Sequence, residues 1–215
     1  MDTLFNNLDL FVSGFQNTLL LFFVSAIFAL ILGIIVGAMR VSPVPVMRGV
    51  GTVYVNLIRN TPLTLIMFFF AFGYPKLGLG HASFTVLAII ALSIYTATYV
   101  AEVLRSGFNT VPVGQAEAAR AIGLPFVQTM SLVIMPQAMR AVIPPMMSVF
   151  IALLKNTTVA AGFSVAEAGT IRANLSERGE PAIVVLLWVA AVFVVLVGLL
   201  SLLQRYFERR WTVQR

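Results

Sequence analysis

Thr110-Val-Pro-Val-Gly-Gln-Ala-Glu-Ala-Ala-Arg-Ala-Ile-Gly-Leu-Pro125, carried on through Ile134-Met-Pro136, is a polar island between apolar runs long enough to cross a bilayer. Its spacing predicts a short helix over 115–122, a stop at Gly123 and a second helix entered through Pro125. Pro136 is expected to break that second helix and return the chain to the membrane. A helix-turn-helix held outside lipid implies a surface offered to a partner, the plain alternative being a solvated connector.

Of the 215 residues, 60% are hydrophobic and 10% charged, and the mean hydropathy is +0.97. Soluble domains carry about 25% charge, so the composition is that of an integral, all-α membrane protein. The chain reads as one transmembrane domain over residues 1–215. With no cysteine, disulfides, thiolate zinc sites and cysteine nucleophiles are excluded. The net charge of +6 lies between apolar runs, which fits the positive-inside rule better than nucleic-acid binding.

Five spans are expected, over about 14–39, 52–74, 82–104, 146–163 and 182–203, with a cytoplasmic loop over about 106–145. Gly33 and Gly37 in the first form a G-x-x-x-G pair, a close-packing pattern that is also common by chance. The second span is short from Thr61 onward and must borrow length from 50–60. That places Arg59, Asn60 and Thr61 inside the membrane boundary, with Pro62 bending the helix. Pro144-Pro145 is expected to start the fourth span.

Ten bases (Arg40, Arg48, Arg59, Arg105, Arg120, Arg140, Arg205, Arg209, Arg210 and Arg215) follow the first, third and fifth spans. Only Lys76, Arg172 and Arg178 lie opposite. This asymmetry puts the N-terminus outside and the C-terminus in the cytoplasm.

Catalytic signatures are missing: there is no H-E-x-x-H, no G-x-S-x-G and no phosphate loop. No catalytic residue and no metal ligand is expected. The one histidine, His81, reads as a solvated loop residue. Lys155 falls nine residues into the expected fourth span, near the bilayer midplane, and is followed by Asn156, Thr157 and Thr158. A lysine there costs at least about 2.5–3.5 kcal/mol unless paired or watered. It either lines a path for an anionic solute or serves as a structural partner of Glu102 or of backbone carbonyls. Arg59 and Glu102 both fall near the inner boundary. Arg59 could pair with Glu102, snorkel, or point into the path.

Glu117-Ala118-Ala119, then Gly123, Ile134 and Pro136, resemble the E-A-A…G…I-x-x-P loop of ABC importer permeases. Arg59-Asn-Thr-Pro-Leu63, Ala101-Glu102-x-x-Arg105-x-Gly107, Gly114-Gln115, Pro136-Gln137-x-x-Arg140 and Lys155-Asn-Thr-Thr158 resemble the polar amino-acid subfamily, most of all its glutamate permeases. The resemblance covers roughly 14–203. It implies a type I fold in the cell membrane, a second permease subunit (a homo- or heterodimer), two ATP-binding subunits and an extracytoplasmic amino-acid-binding protein. No cofactor is implied for this chain, since ATP and Mg would belong to the partner ATPase.

On that resemblance Gly114, Gln115, Glu117, Ala118, Ala119, Arg120, Gly123 and Pro136 are the expected ATPase-docking residues. Ala116, Ala118, Ala119 and Ala121 would supply a small docking face. Glu117 and Arg120, at i,i+3, could pair with each other or reach across the interface. Arg59, Asn60, Thr61, Glu102, Lys155, Asn156, Thr157 and Thr158 are the candidate substrate path. A secondary transporter or channel relaying ions through Lys155 and Glu102 is the alternative. Its usual paired repeats are not visible.

Overall fold

The structure, a computed structural model, describes residues 2–78 and 80–211; Arg215 lies outside them. Every regular element among the described residues is helical. After a single turn, Asp2–Phe5, come α1 (Leu8–Val41), α2 (Pro45–Arg59), α3 (Leu63–Leu77), α4 (Phe84–Asn109), α5 (Val113–Ala121), α6 (Phe126–Phe163), α7 (Ile171–Glu177) and α8 (Ala182–Trp211). Four of these, α1, α4, α6 and α8, are long and apolar enough to span; α2 and α3 together would make a fifth, bent by 96° at the break.

In hydrocarbon a chain has no water to satisfy its peptide groups, so it closes its hydrogen bonds within helices. The outer faces stay apolar: Phe23, Ile27, Phe28, Ile31, Ile34 and Ile35 of α1 are all exposed. Inside, α1 and α4 run side by side in the same direction. Ser93 Oγ lies 3.4 Å from the Ser25 carbonyl at one level. At another, a Cβ on Gly37 would stand 3.5 Å from Leu104. α6 returns antiparallel, bringing Val142 against Gly107, near the end of α4. Small residues set these separations, as is usual where lipid supplies no hydrophobic drive for helix association. In the G-x-x-x-G pair, Gly33 makes the close approach, against Val100 and the Ala97 carbonyl, while Gly37 keeps ordinary contact.

Two proline expectations are corrected. α6 begins at Phe126, twenty residues before the expected span, and runs through Pro136 and Pro144-Pro145 without stopping. A proline in a regular helix lacks its N–H and clashes with the carbonyl four residues back. For Pro136 that carbonyl is Leu132, and the turns over Thr129–Ile134 are widened to π geometry. The same device recurs in α3, where a π turn over Phe69–Gly73 precedes Pro75. Both prolines are thereby kept inside helices.

Replacing Gly33 or Gly107 by valine should lower the thermal midpoint of the assembled protein. Each new Cβ overlaps Val100 or Val142, an overpacking that costs about 1–3 kcal/mol. Gly198→Ala, with nothing within 4 Å of its new Cβ, should leave the midpoint in place. Equal midpoints for all three would contradict the packing described.

Candidate functional site

Three residues separate α4 from α5. The turn is closed by the Thr110 amide and hydroxyl donating to the Gly107 carbonyl (3.2 and 2.7 Å) and by the Gln115 amide donating to Pro112 (3.0 Å). α5 ends where the sequence places its stop. Gly123 has φ +85°, its amide donates to the Arg120 carbonyl (2.9 Å) and the Leu124 amide to Ala119 (3.1 Å). This paired closure needs a left-handed residue, which glycine supplies without strain.

α5 lies against the first turns of α6. Gln137 Nε2 donates to the Val133 carbonyl (2.8 Å) and reaches Gln115 Oε1 at 3.5 Å; Thr129 Oγ1 donates to the Leu124 carbonyl (3.3 Å). Ala119 is 5% exposed and Ala116 half-buried, so the expected docking face is corrected: these two alanines seat α5 on its own chain. Ala118 and Ala121 face outward with Gly114, Gln115, Glu117 and Arg120. Around them stand Val113 (74% exposed), Ile122 (78%), Phe126 and Val127. Glu117 and Arg120 form no ion pair with each other. Pro136 is exposed on α6.

Directly beneath this loop, Glu102 accepts a hydrogen bond from Arg105 Nη2 (2.6 Å) and another from Arg40 Nη1. Of the three roles open to Arg59, pairing with Glu102 is therefore not the one realised. α2 stops at Arg59 and the chain turns, which leaves the guanidinium over the ring of Tyr99, 5.5 Å from its centroid. Tyr99 and Tyr95 hydroxyls are 2.9 Å apart. Tyr95, Thr96, Tyr99, Ser148 and Asn156 contribute the polar groups of a cleft of about 350 Å³ between α4 and α6, with Arg59 at its edge on Tyr99.

The other candidate path residues divide. Asn60 and Thr61 occupy the α2–α3 break, where Thr61 Oγ1 donates to the Leu57 carbonyl (2.8 Å). Thr157 is fully buried and spends its hydroxyl on the Leu154 carbonyl (2.7 Å); Thr158 donates to Lys155 O (2.7 Å). Lys155 is exposed and lines a groove against α8 with Ala190, Phe193 and Val197, on a different face from Asn156. It does not meet Glu102, so the two groups that an ion relay would use are held apart.

The sequence reading missed Tyr95 and Tyr99, although their i,i+4 spacing on an apolar helix was a usable signal. It also missed Glu167, in the connection between α6 and α7. Glu167 is fully buried between α6 and α7. Gly169 N–H donates to its Oε1 (2.7 Å), and Thr18 Oγ1 lies 3.1 Å from its Oε2. Burial pushes this carboxyl up to about 7, against the opposing pull of bonds from Gly169, Thr18 and Ala168. Thr18 Oγ1 also accepts from the Ala168 amide and faces the Gly14 carbonyl, both at 3.1 Å. One hydroxyl proton cannot serve two acceptors. A protonated Glu167 donates to Thr18 Oγ1, which then donates to Gly14. Among the described residues there is no group of three His, Cys, Asp or Glu able to hold a metal ion.

A family model described as "Binding-protein-dependent transport system inner membrane component" matches residues 29–213. The glutamate transport system permease protein GluC of Corynebacterium glutamicum is 45% identical over 195 residues, 85% of this chain and 86% of that protein. The probable glutamine ABC transporter permease protein GlnM of Bacillus subtilis is 37% identical over 211 residues, covering 96% and 95%. A crystal structure of an amino acid ABC transporter with histidines superposes with a TM-score of 0.91 at 28% identity, over 96% of both chains.

Glu167 binds a proton more tightly folded than unfolded, so its contribution to stability is complete below its ordinary value of 4.5 and is lost as pH rises through about 7. The thermal midpoint should fall between about pH 5 and about pH 8, and Glu167→Gln, a neutral isostere, should flatten that fall. An undiminished slope in the variant would contradict the assignment.

Proposed function

The chain belongs to the family of binding-protein-dependent transport system inner membrane components, as the permease subunit of an amino-acid ABC importer and a multi-pass protein of the cell membrane, and we propose that it carries glutamate, driven by ATP hydrolysis on a partner subunit. The observation that carries this reading is the outward face of α5. Val113, Ile122 just past its end, and Phe126 and Val127 at the start of α6 are exposed around Glu117 and Arg120, on a surface too polar to lie in lipid and too apolar to be left to water. An ATP-binding subunit is the occupant that fits it. Gly114, Gln115, Glu117, Ala118, Arg120 and Gly123 form the contact, and ATP and Mg stay on that partner.

The N-terminus lies outside and the C-terminus in the cytoplasm, with α5 on the cytoplasmic side. Closure of two ATP-binding subunits moves α5. The short turn at 110–112 hands that motion to α4, and Glu102 hands it on to α1 through Arg40. Access to the α4–α6 cleft then alternates between an extracytoplasmic amino-acid-binding protein and the cytoplasm. No bond of the solute is made or broken.

The cleft suits a small zwitterion with a carboxylate side chain. Arg59 supplies the cation, and Tyr95, Tyr99, Ser148 and Asn156 supply donors and acceptors. Its setting beside a broken helix, with Asn60 and Thr61 in the break, is typical of transport paths, because irregular backbone at membrane depth survives only where it is buried or lines a cavity. The name of the Corynebacterium relative supports glutamate as the cargo. Lys155 is costly in contact with lipid tails, so the second permease subunit covers its groove and completes the path there.

Glu117→Lys and Gly123→Pro should leave the protein inserted but uncouple uptake from ATP hydrolysis in vesicles of the complete transporter. The proline removes the amide bonded to Arg120 and cannot adopt φ +85°. Losing a central docking contact costs about 2 kcal/mol, so ATPase affinity should drop roughly thirtyfold. Unchanged ATP-driven glutamate uptake in both variants would overturn the reading.

A further inference from the structure

The last turns of α8 carry a feature that the transport reading leaves unused. α8 is the outermost span: only 11% of its most apolar window is buried. Its inner stripe, Val185, Val189, Phe193 and Leu196, packs on the bundle. That stripe continues to Gln204, which donates to Ser148 Oγ (3.1 Å) and Glu208 Oε1 (2.9 Å). The opposite stripe, Leu187, Val194, Val195 and Leu202, is exposed and apolar, the character of a surface in contact with acyl chains. One turn further along the same face it changes abruptly to Arg205, Tyr206 and Arg209, all exposed.

The chemistry of that change is specific. Arg205 and Arg209 are i,i+4 neighbours and form no ion pair among the described residues. Arg210 Nη1 donates to Tyr206 Oη at 2.8 Å, which leaves the phenol proton free to donate outward. Leu202, Arg205, Tyr206, Arg209 and Arg210 together line a hollow of about 480 Å³. Two guanidinium forks and a hydroxyl above an apolar wall make a receptor for an oxyanion whose tails run down that wall.

We propose that Arg205, Tyr206 and Arg209, with Leu202 beneath them, bind the phosphate of an anionic phospholipid at the membrane surface. The charge complements such a headgroup, and the arginines follow directly on a lipid-facing stripe, so the occupant is a lipid and not a soluble anion. The hollow is separate from the α4–α6 cleft, and the assignment stands whichever amino acid is carried.

The test uses the complete transporter in mild detergent, with native mass spectrometry after adding phosphatidylglycerol or phosphatidylcholine. Wild type should retain phosphatidylglycerol in preference, and millimolar inorganic phosphate should not displace it. Each arginine near an anionic surface is worth roughly fivefold in affinity, so the Arg205→Gln, Arg209→Gln double variant should lose roughly 25-fold. Equal retention of the two lipids, displacement by inorganic phosphate, or loss of an ATP-binding subunit in place of lipid from the double variant would each overturn the proposal. Should that variant not assemble, the wild-type comparison and the phosphate competition still decide.

Discussion

Glu102 is the pin of this molecule. One carboxylate, mostly screened from solvent, is shared between Arg105 on its own helix and Arg40 at the end of α1. Breaking a partly buried charge pair from one side strands the other charge, so such a cluster holds its helices in one register. Here the register joins the ends of α1 and α4 immediately below the turn that launches α5. Whatever pushes on α5 therefore pushes on two spans at once. Removing the carboxylate would leave two guanidinium groups facing each other at the point where the loop meets the bundle.

A second constraint acts along the spans. Every peptide group in hydrocarbon must find a partner, yet the chain carries Pro62, Pro75, Pro136 and Pro144-Pro145 in or beside its spans. Pro144-Pro145 lie inside α6 with no break, and the other three are handled in two ways. At Pro62 the helix stops and turns by 96°, and the exposed ends sit next to the cleft. At Pro75 and Pro136 a wide turn just upstream lets the helix continue. Among the described spans the sharp break is thus confined to the α2–α3 junction beside the cleft, and the long helices continue through their prolines.

That the chain is built of long apolar helices was legible because apolar run length is a one-dimensional property. The α5 stop was equally legible, since Gly123 and Pro125 act through local backbone geometry. Pro136 misled because the remedy for a helical proline lies in the preceding turn, where Thr129–Ile134 carry no sequence mark of π geometry. The choice among the roles open to Arg59 was hidden for another reason. Depth in the membrane places residues at a level but not on a face, and both Arg40 and Arg59 reach that level. Which one meets Glu102 depends on how α1 and α2 pack on α4, through contacts such as Gly33 on Val100 and the Tyr54 hydroxyl on the Ile94 carbonyl (2.8 Å). Lys155 and Asn156 are adjacent in sequence yet open onto different surfaces, which a list of polar residues at one depth cannot reveal. Glu167 was hidden because a fully buried acid without a cation looks, in sequence, like any other loop glutamate.

The α5 face, the Glu102 pin and the α4–α6 cleft form one line from the loop to the centre of the bundle, and the account depends on a second protein sitting at its start. The direct measurement is site-specific photo-crosslinking from Ile122 in membranes that contain the whole transporter. The account predicts an adduct with the ATP-binding subunit whose yield changes when ATP is added. An adduct only with lipid or with an extracytoplasmic protein, or one indifferent to the ATP-binding subunit's presence, would contradict it.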